Sequence, residues 1–123
     1  METHIAEYHH KRAFYAFQKA IQLAEARLMK ESPTDGIEEA KIMVDLAELH
    51  LLAHDMGKAE TEFTKALNTF YRYPRKDEKS HYAYIVYLLK TLSGIHECQG
   101  RRNEAKTELS NAMKWEEMLR GFH

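Results

Sequence analysis

His50 and His54 stand four residues apart, a spacing that puts two imidazoles on one face of a helix and can hold a metal ion. Leu51 follows His50, so the glutamate that turns such a pair into a metalloprotease site is missing. Two Glu-x-x-His patterns, Glu7 with His10 and Glu78 with His81, have the spacing by which di-metal helical bundles present ligands. Eight His and fifteen Glu in 123 residues make such a pair expected by chance, and both pairs fall near expected helix ends. Cys98 is the one thiol; His96, two residues away, points elsewhere on a helix, and a buried or half-buried structural thiol is the expectation. The chain shows no glycine-rich phosphate loop, nucleophile elbow or Ser/His/Asp signature. The leading expectation is therefore a non-catalytic chain with no cofactor. The alternative is a helical-bundle metal or redox enzyme using Glu7, His10, Glu78 and His81.

The elements that would position these groups are helices. A length of 123 residues with 44% hydrophobic content suits one domain with a real core. Five Gly and two Pro are few, both Pro lie where helical patterns stop, and no segment alternates every second residue as a strand would. The first helical stretch is expected from Thr3 to Lys30, with a loop at Glu31–Gly36. A second helix runs from Ile37 to His54, a tight turn covers Asp55–Gly57, and a third helix runs to Arg72 before Pro74. Asp77 or Ser80 caps a fourth helix that runs to Gln99, where Gly100 suits a left-handed cap. The fifth helix covers Asn103–Arg120 and ends at Gly121.

Charge and composition narrow the partners. The 18 basic and 19 acidic residues are interspersed, giving a formal net charge of −1. With a pI near 6.7 the chain lacks the basic balance of a nucleic-acid binder, and the same argument disfavours an anionic membrane. The polar, histidine-rich Met1–Lys11 has no signal-peptide core, and the longest apolar run, Tyr82–Leu89, stops at Lys90. A single cysteine fits a reducing compartment, so a cytoplasmic location is expected.

A repeat organises the chain. Ala13, Phe17, Ala20 and Ile21 recur as Ala59, Phe63, Ala66 and Leu67, and again as Ala105, Leu109, Ala112 and Met113, each step being 46 residues. Upstream, Leu46 matches Leu92, Ala47 matches Ser93, Leu49 matches Ile95 and His50 matches His96, in the same register. Ala and a bulky residue four apart share one helix face; the Ala lets a neighbouring helix close in and the bulky residue fills the gap. One helix pair cannot bury both its faces, so copies must stack. The divisions are a partial copy at 1–35, a copy at 36–76 and a copy at 77–123.

The pattern Leu46, Ala47, His50, Ala59, Phe63, Ala66, with its echo Leu92, Ser93, His96, Ala105, Leu109, Ala112, resembles a tetratricopeptide repeat. The family repeat is about 34 residues, so the copies here carry roughly 12 more in helices and loop. Met43 and Leu89 stand where the family often has Trp, and His50 and His96 where it has Tyr. The resemblance implies an all-α fold: antiparallel helix pairs stacked as a short right-handed superhelix of about two and a half repeats. It also implies a protein- or peptide-binding adaptor, regulator or co-chaperone.

In that family the first helix of each pair lines the concave face. Carried over, the partner-binding ridge is Lys41, Val44, Glu48, Leu51 and Leu52 in one copy and Tyr84, Tyr87, Lys90, Gly94, Glu97 and Cys98 in the next. Val44, Glu48 and Gly94 occupy places where a clamp for acidic tails needs Lys, Arg or Asn, so such a clamp is not expected. Phe70, Tyr71, Tyr73, Tyr82, Tyr84 and Tyr87 form a dense aromatic set, read as inter-repeat packing or as a tyrosine-lined recognition surface. Phe14, Phe17 and Ile21 face a helix that the cut first copy only partly supplies. The first helix therefore either caps its own stack or forms a homodimer interface.

Overall fold

The computed structural model describes residues 18–26, 36–75 and 78–122. Among these every regular element is helical: α1 (18–26), α2 (Gly36–Leu52), α3 (Met56–Arg72), α4 (Lys79–Cys98) and α5 (Arg102–Arg120). Helix α2 packs on α3 and α4 on α5, and the two hairpins stack through α3 and α4. The expected all-α architecture of stacked antiparallel pairs is thus what the described residues form.

The two hairpins repeat one another down to the backbone. In the first, the Ala53 N–H donates to Leu49 O, His54 to Leu51 O and Asp55 to His50 O; in the second, Gln99 donates to Ile95 O, Gly100 to Glu97 O and Arg101 to His96 O. Each donor and acceptor is displaced by 46 residues. The bond reaching back five residues, from Asp55 or Arg101, closes the first helix in the manner of a left-handed cap. That cap requires positive φ at its turning residue, and both turning residues have it: His54 at 63° and Gly100 at 76°. Gly100 does so without strain, whereas His54 carries a Cβ into the left-handed region. The first turn was expected at Asp55–Gly57, but its sharp corner is His54. Asp55 is instead the N-cap of α3, its carboxylate accepting from the Lys58 N–H at 3.1 Å.

The fourth helix starts differently from expectation. Its N-cap is Glu78, which makes no side-chain cap bond; Ser80 already lies inside the helix, and Asp77 is outside the described residues. Similarly, α5 begins at Arg102, one residue before the expected start.

The core lies between the hairpins. Ala40, Ala47, Ala59 and Ala66 are fully buried and admit close helix approach, while Phe63, Phe70, Ile85, Leu88 and Leu92 fill the space between. The repeat positions share environments only in part. Ala59 and Ala105 are both buried, as are Ala66 and Ala112, but Phe63 is 0% exposed and Leu109 is 47% exposed. Leu67 and Met113 differ in the same way, at 8% and 62%. The cause is stacking order: α4 covers that face of α3, and among the described residues no element covers the same face of α5. The bulky residue of the last copy therefore fills no gap. Of the first copy, Ala20 and Ile21 are half-buried, while Ala13, Phe14 and Phe17 lie outside the described residues, as do Glu7 and His10.

Candidate binding groove

Helices α2 and α4 run side by side without direct backbone packing, and a cleft of ≈ 310 Å³ opens between them. Val44, Asp45 and Glu48 line it from α2; Ser80, Ala83, Tyr84 and Tyr87 line it from α4. Residues 41, 45, 48 and 52 follow one stripe of a helix, as do 80, 84, 87 and 91. The floor is Val44, which is buried.

Two contacts bridge the cleft. The Tyr87 hydroxyl donates to Glu48 Oε1 at 2.5 Å. Burial, together with the adjacent Glu48 carboxylate, pushes the Tyr87 phenol up to about 12, so the hydroxyl remains a donor at neutral pH. The Lys41 ammonium lies 5.9 Å from the Tyr84 ring centroid, and Lys41 also reaches Glu38 at 3.5 Å. Tyr84 is fixed from behind by Phe70, with centroids 5.0 Å apart and planes at 18°.

The expected ridge is only partly assembled here. The cleft brings Val44, Glu48, Tyr84 and Tyr87 together, with Lys41 at its rim. Lys90 turns to α5, where its ammonium meets Glu116 at 2.5 Å and holds that carboxyl below its usual range. Leu51 packs partly into the core, Leu52 is exposed, and Gly94 and Glu97 are exposed further along α4. Cys98 is exposed, against the expectation of a buried thiol. It lies four residues, about one turn, beyond the likewise exposed Gly94. A ridge projected from one helix at a time does not find Asp45, Ser80 and Ala83, which join the cleft only where α2 and α4 lie together.

The aromatic set divides into two. Tyr84 and Tyr87 face the cleft, whereas Tyr82 packs against Trp115 and Phe122, with centroids at 5.5 and 4.8 Å, and Tyr71 meets Trp115 at 5.9 Å. Tyr73 closes over Gly36, where an added Cβ would come within 2.7 Å of its ring.

The histidines are structural in position but not merely space-filling. His50 Nδ1 lies 2.6 Å from Glu62, and His96 Nδ1 lies 2.7 Å from Glu108, the same bond one copy later. His96 Nε2 also meets Glu60 of the preceding hairpin at 2.8 Å. Burial lowers the His96 pKa, but hydrogen bonds to Glu108 and Glu60 outweigh it and the net shift is upward. Glu60 is held down at about 2 by the Gln99 amide, then by His96 and Arg101, against opposing desolvation. His54 is exposed, so the His50–His54 pair is split between core and surface. Glu78 pairs with Arg75 at 3.6 Å at the surface, while His81 is buried against the Phe70 ring. Among the described residues no group of three or more His, Cys, Asp or Glu could hold a metal ion, and no helix is long and apolar enough to cross a membrane.

Comparison with protein-family models, with curated proteins and with solved structures finds no match to this chain. The stacked hairpins define a generic helical-repeat architecture.

Proposed function

We propose that the chain is a non-catalytic helical-repeat module of tetratricopeptide type, and that it holds a protein or peptide segment in the α2–α4 cleft as an adaptor, regulator or co-chaperone. The observation that carries this reading is the cleft itself: Tyr87, 41% exposed, stands in an open groove with its hydroxyl already anchored by Glu48. A ring that is oriented before a ligand arrives loses little further freedom on binding, and tyrosine offers a large apolar face with a polar tip. A cleft of ≈ 310 Å³ accommodates one or two side chains of an extended segment rather than a folded domain.

The test is selective loss of partners. Ala83→Trp fills the cleft from its exposed wall, and Tyr87→Ala removes the oriented ring. Both variants should melt within a few degrees of wild type, and proteins co-purifying with wild type should be lost from both. Partners retained in full by both folded variants would discard the cleft as the binding surface.

A further inference from the structure

The cleft has a charge that no neighbouring group among the described residues neutralises. Glu48 uses Oε1 to accept from Tyr87, which leaves Oε2 open, and Asp45 stands exposed one turn before it. Among the described residues no lysine, arginine or histidine pairs with Asp45 or Glu48; Lys41, at the rim, is matched to Glu38. An ionised carboxylate accepts several hydrogen bonds, and two beside an aromatic wall suit a planar or ammonium cation. The chain shows this chemistry on itself, since the Lys41 ammonium already rests near the Tyr84 ring. Further along α4, Gly94 leaves open space where a side chain would stand, so a backbone can pass close to that helix.

We propose that the α2–α4 cleft takes an arginine or lysine side chain from an extended basic peptide segment, with Asp45 and Glu48 as its counter-charges and Tyr87 as its apolar wall. This rests on the cleft being the binding surface and adds the chemical class of what it binds. Basic segments are complementary to it in charge, and acidic tails are repelled by the same carboxylates.

Random peptides displayed on phage and selected on the folded wild-type protein test this. Each selected peptide is then measured against Tyr87→Ala and against the double variant Asp45→Asn, Glu48→Gln, which keeps shape and removes charge. The expected result is a Tyr87-dependent set enriched in Arg and Lys. It should lose about tenfold in affinity on the double variant and weaken as salt rises. Tyr87-dependent peptides that are neutral or acidic and bind the double variant as well as wild type would overturn the inference while leaving the cleft as the binding surface. Selected peptides indifferent to Tyr87→Ala would overturn both.

Discussion

His96→Gln removes a buried side chain that joins both hairpins through charge, as Arg101 does at the surface. Its imidazole lies 2.7 Å from Glu108 within its own hairpin and 2.8 Å from Glu60 in the other. A hydrogen bond to a charged group contributes about 1.5–3 kcal/mol, and a glutamine can keep at most part of one of the two. Glu60 retains Gln99 at 3.0 Å and Arg101 at 2.6 Å, so it is not left unpaired, which limits the loss to about 2–3 kcal/mol near pH 6. His50→Gln is the internal control: His50 makes the equivalent bond to Glu62 but, among the described residues, none to another hairpin, so its loss should be about half as large. The pH dependence gives a further check on His96. A raised folded pKa means that the His96 contribution is full below its ordinary value of 6.5 and is lost as pH rises through the folded value. His81 works in the opposite sense, because burial lowers its pKa, so the difference between wild type and His96→Gln isolates the His96 term. Thermal and urea melts at pH 6 and pH 8 measure it. The expected result is a gap between wild type and variant that narrows from pH 6 to pH 8. Equal losses for His50→Gln and His96→Gln with no pH dependence would refute the inter-hairpin clamp.

Three other outcomes are expected. Phe63→Ala should cost about 3–5 kcal/mol in a urea titration, because α4 covers that ring, whereas Leu109→Ala at the equivalent uncovered place should cost well under half of that. His54→Gly should raise stability by about 1 kcal/mol by relieving the positive φ, and Gly100→Ala should lower it by a similar amount; melts that move the other way would deny the shared left-handed turn. Acid titration should expose Glu60: with a folded value near 2 against 4.5, its contribution is present above 4.5 and falls as pH drops toward 2. The Glu60 side chain is about a quarter exposed, so screening holds this contribution to about 1–2 kcal/mol, and Glu60→Gln should flatten that acid limb.

The helices and their pairing were legible because the repeat states them three times. Small and bulky positions in constant register mark the packed faces, and breakers at Gly36, Pro74 and Gly100 mark the ends. What the register could not convey is which copy receives a neighbour, so Phe63 and Leu109 look alike in sequence and differ in burial. The His54 corner was hidden because nothing in its residue type demands positive φ; only its alignment with Gly100 reveals it. His50 and His96 stand where the family pattern has Tyr, and they are buried, but their bonds to Glu62 and Glu108 span a turn that local spacing does not connect. The cleft was half legible. A ridge projected from one helix at a time finds Glu48 and Tyr87, but Asp45 and Ala83 enter only once the two helices are set side by side.

The most direct test of the central claim, that α2 and α4 form a charged, tyrosine-walled groove for a basic segment, is amide chemical-shift mapping of the labelled protein with a selected basic peptide. The account predicts saturable shifts centred on Asp45, Glu48, Ala83 and Tyr87. Shifts centred instead on the open α5 face around Leu109 and Met113, with the α2–α4 amides unmoved, would contradict it.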